Sequence, residues 1–397
     1  MRVDDGLRAL PDLAWGGRHA VRCDDRGGRT ALEVSGEIFV YGTLCHAPLL
    51  AVVLGREARP AAAWVAGAVV RAGPCAALVS GEGRVAGKLL VGLTPAEVER
   101  VAYYAAVLGQ GVVLCRAETD AGQCDAVLYT CGSGDGAWQF DLWAERFGAI
   151  AVATARDVMA LQGQVPAAQV ARRYGQMLVR GAARVRSADA GPVTLRRSQR
   201  AGDVAVAASV TPYAHFFAVE EQDLSFRRFD GSMGPTVNRA AFVMGDAVTV
   251  LPYDPVRDRV LLVEQFRAGP HMRGAVECWS LEAIAGRVDP GETPEEAARR
   301  EAVEEAGLEL GAMEYVAGYY PSPGAVTEYL YSYVALADLP DGAAGVFGVE
   351  GEAEDIRGHL VGFARFMELV ASGEVDNAPL MLTALWLQRE RGRLRQG

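Results

Sequence analysis

Glu301, Glu304 and Glu305 stand at i, i+3 and i+4, a spacing that puts three carboxylates on one face of a helix. Two such groups about 5.5 Å apart repel by roughly 3 kcal/mol at an effective dielectric near 20, so the face calls for a counter-charge. Glu282 and Glu292 lie in the segment just before it, and Gly286 and Gly291 suit a fold-back that aims loop carbonyls and acids at one point. Hard oxygen ligands gathered in this way select Mg²⁺ or Mn²⁺. The chemistry on offer is metal-assisted hydrolysis: neutralising a pyrophosphate, orienting it for in-line attack and acidifying a water, with a nearby carboxylate as base. The plain alternative is a solvated acidic helix softened by Arg299 and Arg300.

The elements that must position these groups follow from local signals. Thr293 as N-cap, Glu296 three residues on as a capping box and Gly307 at the end predict a helix from Thr293 to Gly307. Strands are expected in HFFAVEEQDLSFRRF, AFVMGDAVTVLPYD and DRVLLVEQF, the last two joined across the turn PVRD, and a final helix in MLTALWLQRERGRL. Residues 37 to about 131 read as short strands broken by glycine, with one helix opening at Thr94 and Pro95. From Trp138 to about Ser187 the pattern turns helical, and the polar stretch at 186–203 marks a domain boundary. The expected organisation is a first domain over 37–140, a helical connector over 141–190 and a second domain over 204–393.

Composition narrows the class. The 397 residues are 50% hydrophobic and 22% charged, which excludes disordered, collagenous and coiled-coil chains. The net charge of −11 argues against a protein that grips nucleic acid or anionic lipid, so neither nucleic acid nor membrane is an expected partner. Ten of those charges sit in two short stretches, 281–310 and 349–355. The first residues lack the build of a signal peptide, and apolar runs such as Ala61 to Val70 are too short to cross a bilayer. Seven cysteines, without a CxxC pair, are expected to be reduced structural thiols in the cytoplasm.

Gly286, Glu292, Arg300, Glu301, Glu304, Glu305, Gly307 and the apolar residues between and after them resemble the complete Nudix box. That resemblance implies hydrolysis of a diphosphate linked to another group. The flanking segments HFFAVE, TVNRAAF, LPYDPVRDRVLLVEQFR, WSLEAIAG, SPGAVTE and GEAEDIRGHLV resemble the ADP-ribose pyrophosphatase branch over roughly 210–390. This implies an α/β/α sandwich with an extra N-terminal β-sheet. It also implies a Mg²⁺-dependent enzyme, with Mn²⁺ as a substitute, that cleaves ADP-ribose or a related nucleoside diphosphate sugar to AMP and a sugar phosphate. The Ala285 carbonyl, Glu301, Glu305 and Glu354 would hold metal, with Glu304, Glu282 and Arg300 in support. Glu352 would be the general base. Phe216 would stack on adenine, Arg239 and Arg267 would hold the dinucleotide-like ligand, and Glu328 would accept from the terminal ribose. Ser322 and Gly324 belong to the SPG step that marks the branch. A homodimer built by exchange of N-terminal strands is a further implication.

In the first half, FVYGTL resembles the YGTL signature of the γ-glutamylcyclotransferase-like (AIG2-like) fold, which implies a β-barrel-type α+β domain. There Tyr41, Gly42, Thr43 and Leu44 would form a turn whose amides face a substrate carboxylate. Ala102 and Ala105 stand where that family has acids, and Gln110 where it has tyrosine. The domain is therefore expected to be catalytically degenerate, a binding or scaffolding module. The two-domain order resembles bacterial proteins associated with tellurite resistance. The competing readings are hydrolysis of another nucleoside diphosphate sugar or dinucleotide, a non-catalytic module that senses an ADP-ribose-like ligand, and an active cyclotransferase.

Overall fold

A computed structural model describes residues 36–73, 76–188, 191–348 and 355–396. The chain divides into two compact units, Met1–Asp189 and Ala190–Gly397.

The first unit is built on a closed, barrel-like six-stranded sheet. Its strands are β1 (Ile38–Val40), β2 (Ala61–Ala72), β3 (Ala77–Leu90), β4 (Gly111–Thr119), β5 (Gly122–Thr130) and β6 (Gly136–Ala137). The order is β3-β1-β5-β4-β2-β6, and a β3–β2 pairing closes it. Closure requires close approach at Gly87, where a Cβ would lie 2.4 Å from the Phe39 ring. Helices α1 (Ala47–Leu54), α2 (Pro95–Val107), α3 (Phe140–Ala160), α4 (Ala167–Ala171) and α5 (Tyr174–Arg186) complete the unit. Leu49, Val53, Val101, Tyr104, Ala155 and Val158 form part of its helix-side core.

Helix α2 begins where its sequence predicts, with Thr94 and Glu97 forming a reciprocal capping box. The Thr94 amide donates to Glu97 at 2.7 Å and Arg56 pairs with the same carboxylate, which holds it down to about 2 from its usual 4.5. A depressed carboxylate contributes stability that is complete above about 4.5 and is lost as pH falls towards 2. The melting temperature of this unit is therefore expected to fall over that window, and Glu97→Gln should flatten the fall. A thermal melt series from pH 6 to pH 2 on both proteins checks this.

Cys45, Cys115, Cys124 and Cys278 are free thiols. Cys131 is disulfide-bonded, which corrects the expectation of wholly reduced cysteines. Among the described residues no helix is long and apolar enough to cross a membrane.

In the second unit a mixed eight-stranded sheet carries the order β14-β15-β10-β11-β17-β16, with β12 added beside β11 and β13 beside β10. The strands are β10 (Ala247–Asp254), β11 (Arg259–Phe266), β12 (Trp279–Glu282), β13 (Ile284–Arg287), β14 (Met313–Tyr319), β15 (Leu330–Leu336), β16 (Val346–Phe347) and β17 (Ile356–Gly362). The expected hairpin at PVRD is present: Asp254 accepts the amides of Val256 and Arg257, and Asp258 adopts φ 55.

A short helix α6 (Ala268–Arg273) follows β11, and helix α7 (Pro294–Ala306) covers one face of the sheet. There Ala297, Ala298, Ala302 and Ala306 pack on Val248, Val250, Leu261, Val263 and Ile284. Such small side chains let the helix lie close to the strands. Helices α8 (Phe363–Ser372) and α9 (Ala378–Leu394) cover the other face, packing Phe366, Leu369, Leu380 and Leu387 against Leu251, Tyr253, Val260 and Leu262. The result is a helix–sheet–helix sandwich.

A separate antiparallel sheet is made of β7 (Val204–Ala214), β8 (Ala218–Phe226) and β9 (Val237–Val243). The sequence signal places a strand at His215, but that residue lies in the β7–β8 turn, its amide donating to the Phe217 carbonyl at 2.7 Å. β7 escapes the periodicity signal because Val204 through Tyr213 are exposed on both faces, so no buried face imposes alternation.

Candidate active site

The carboxylate helix forms as its caps demand. Thr293 and Glu296 make both halves of the capping box, and Gly307 ends α7 in the left-handed region at φ 61. From the helix, Glu301 and Glu305 reach to β13. The Ala285 amide donates to Glu305 Oε2 at 3.0 Å, and Glu305 is only 3% exposed. Gly286 sits directly beneath the Glu301 carboxylate, and a Cβ there would lie 1.8 Å from Glu301 Oε1.

Gly286→Ala should therefore displace that carboxylate and leave the fold intact, because the colliding atoms are the end of a side chain. The concentration of divalent ion that supports half-maximal activity is expected to rise about tenfold or more. A metal titration of activity, with a melting curve alongside, reads both effects.

Arg300 is the counter-charge the sequence calls for. Its Nε and Nη2 donate to the two oxygens of Glu292 at 3.0 and 3.1 Å, and its Nη1 to Glu301 at 2.7 Å and Glu304 at 3.0 Å. Its Nη2 also donates to the Arg287 carbonyl at 3.0 Å. Burial opposes the Arg300 charge, but its bonds to Glu292 and the field of Glu301 outweigh burial and raise its pKa. Burial also pushes the Asp289 carboxyl up, against the pull of Arg300.

Among the described residues no three His, Cys, Asp or Glu side chains stand as a ready metal cage. Glu301 and Glu304 are held by Arg300, and Glu352 and Glu354, proposed from sequence as base and ligand, lie outside the described residues. The donor set nonetheless fits a hard cation. It offers oxygen donors only, carboxylates and the Ala285 carbonyl, and the atoms nearest above Gly286 are those of the Glu301 side chain.

The other predicted residues divide. Glu282, on β12, is gripped by Arg267, whose Nε and Nη2 donate to its two oxygens at 2.8 and 2.6 Å. This fork is thus committed to a carboxylate within the chain. Phe216 is exposed, with the Arg287 guanidinium 4.0 Å above its ring centroid. Burial raises the Glu328 carboxyl, while Arg287 pulls it down and Asp246 pushes it up, so Arg287 gathers Phe216 and Glu328 about itself. Arg239 is exposed on β9, with its Nη1 on the neighbouring Asn238 carbonyl.

The Ser322 carbonyl accepts the amides of Ala325 and Val326, and this loop is stitched to Phe242 at the end of β9. A Cβ at Gly324 would meet nothing within 4 Å, so the fold itself makes no demand for glycine there. Sequence reading missed Arg287 and Asp246, whose proximity depends on the β10–β13 pairing and carries no local signal.

In the first unit the YGTL segment forms a 3₁₀ turn, Gly42–Cys45, beside a cavity of about 10 Å³, room for one water. Tyr41, Thr43, Leu44, Ala76, Gln110 and Tyr129 line it, and among the described residues no acid does. A Cβ on Gly42 would lie 2.4 Å from that of Ala76, and Gly42 has φ 56, so only glycine suits the turn. Ala102 and Ala105 lie in the helix-side core.

The NUDIX domain model matches residues 244–381, and the model for γ-glutamyl cyclotransferase, AIG2-like, matches 38–142. A protein of Escherichia coli K12 described as ADP-ribose pyrophosphatase is 38% identical over 197 residues, covering 50% of this chain and 91% of the relative. One of Haemophilus influenzae with the same description is 33% identical over 196 residues, covering 49% and 90%. A Salmonella paratyphi B protein described as GDP-mannose pyrophosphatase is 33% identical over 150 residues, covering 38% and 77%.

Proposed function

The chain belongs to the Nudix hydrolase family through its second unit, with an AIG2-like γ-glutamyl cyclotransferase domain before it, and from that premise we propose a Mg²⁺-dependent diphosphatase that cleaves ADP-ribose to AMP and ribose 5-phosphate. The observation that carries this reading is the convergence of Glu301 and Glu305 from α7 on Ala285 and Gly286 of β13.

The Ala285 carbonyl, Glu301, Glu305 and Glu354 would hold the cation. When bound, it supplies positive charge that neutralises the diphosphate and acidifies water, and Mn²⁺ can replace Mg²⁺. Glu352 takes the proton of the attacking water. The water oxygen bonds to one phosphorus, the bridging P–O bond breaks, and the departing phosphate carries away its electron pair. Arg300 keeps Glu301 and Glu304 in place, and Glu282 fixes Arg267 at the edge of the site. Phe216 stacks on adenine on the ring face away from Arg287, Glu328 accepts from the terminal ribose, Arg239 and Arg267 hold the dinucleotide-like ligand, and Ser322 and Gly324 bring backbone close to it.

A homodimer with exchanged strands is part of this reading, supported by the exposed apolar residues Val204, Val206, Val210 and Tyr213 of β7. The first unit serves as a binding or scaffolding module that does not turn over γ-glutamyl substrates, a reading supported by the lack of any acid among the described residues that line its cavity.

The similarity to GDP-mannose pyrophosphatase favours one alternative, preference for another nucleoside diphosphate sugar. Comparing kcat/KM for ADP-ribose, ADP-glucose, GDP-mannose and NADH decides between them. ADP-ribose is expected to lead by at least about tenfold. A ligand that binds but is never cleaved would make the chain a sensing module.

A further inference from the structure

Gln265 is buried on β11, and among the described residues its side-chain Nε2 has no hydrogen-bond partner. Buried amide donors are almost always paired, and one left unpaired lowers stability. The run Val260–Val263 before it is wholly buried and apolar, and another apolar residue at 265 would continue that pattern at no such cost.

The strand places this amide. Side chains alternate along β11, so Gln265 shares its face with Val263 and Arg267, while Glu264 and Phe266 point to the other. Val263 packs in the core beneath α7, which makes this the face of the carboxylate site. Across the ladder Gln265 stands opposite Ser280, and Val263 opposite Glu282. The orphan donor thus lies in the same wall as the Arg267–Glu282 fork. Glu282 is already paired with Arg267, and among the described residues no acceptor reaches this amide.

We propose that Gln265 is a substrate-binding residue whose Nε2–H donates to a nonbridging oxygen of the diphosphate. An anionic oxygen accepts a stronger bond than a neutral one, and the neighbouring Arg267 favours negative charge at this point. The unpaired amide lowers the stability of the free protein and is satisfied only in the complex, the pattern expected where function overrides packing.

This inference rests on the second unit being a diphosphatase, and its test separates the two. Wild type, Gln265→Leu and Gln265→Glu are compared in the full chain by thermal melting without ligand and by calorimetric binding of a non-hydrolysable α,β-methylene analogue of ADP-ribose. Their kcat/KM is measured on whichever diphosphate wild type cleaves fastest. Gln265→Leu is expected to melt at the same temperature or higher, because it removes an unsatisfied buried donor, yet to lose about 10- to 100-fold in affinity and kcat/KM. Gln265→Glu should lose more through repulsion. Unchanged affinity and kcat/KM in Gln265→Leu, or a lowered melting temperature with affinity intact, would overturn the proposal. If leucine prevents folding, Gln265→Met, which keeps the length of the side chain, is read by the same criteria. Failure of the diphosphatase reading would appear separately, as a wild type that cleaves nothing.

Discussion

Glu305→Gln is expected to lower kcat by at least about 100-fold while the protein stays folded. Glutamine keeps a carbonyl oxygen for the Ala285 amide, so the hydrogen bond at 3.0 Å survives and the substitution leaves no hole. What disappears is one negative charge and one anionic oxygen at a position only 3% exposed, where a cation has few substitutes for either. Without metal, losing one of several mutually repelling acids should leave the melting temperature unchanged or raise it. Steady-state kinetics in excess Mg²⁺ and melting curves in chelator make the two readings. Full activity in the variant would remove Glu305 from the mechanism.

Arg300→Met is expected to act in the opposite way, on stability first. The guanidinium bonds Glu292, Glu301, Glu304 and the Arg287 carbonyl, and its side chain is 28% exposed. Removing it leaves three carboxylates without their shared partner, and breaking a buried ion pair of this kind costs about 3 kcal/mol. In a unit of this size that is a fall of about 10 °C in melting temperature. Saturating divalent ion should restore part of it, because a cation bound to the same acids replaces the missing charge. Arg300→Lys should recover less than half, since an ammonium cannot span Glu292 with two parallel bonds. A melting temperature within 1–2 °C of wild type, about the shift of a neutral surface change, would show that the acids are solvated and need no counter-charge.

The two largest effects concern a helix whose limits were legible from the sequence. Thr293, Glu296 and Gly307 are local signals, and α7 begins and ends beside them because capping involves only neighbours in the chain. The need for glycine at 286 was legible only as a pattern. Its reason is a carboxylate fifteen residues further on that the helix lays over β13.

Arg267 shows the limit more sharply. Its type and neighbours suggest a ligand arginine, and the β11–β12 pairing adds what its own segment does not show, a fork onto Glu282. Gln265 lay unread inside an apolar strand, because whether an amide finds a partner is decided by the neighbouring strand and not by its own segment. The exposed strand β7 was missed for a related reason, since periodicity is imposed by burial and β7 buries neither face. The Cys131 disulfide was likewise beyond spacing arguments, which cannot tell which of seven thiols meet.

In the proposed reaction the second unit breaks a diphosphate with metal held by the α7 carboxylates. The most direct measurement is product analysis of ADP-ribose incubated with chelator-treated protein, before and after Mg²⁺ is restored. No product is expected in chelator, then AMP and ribose 5-phosphate in equal amounts on adding Mg²⁺. Intact ADP-ribose under both conditions, or equal hydrolysis in both, would contradict this reaction.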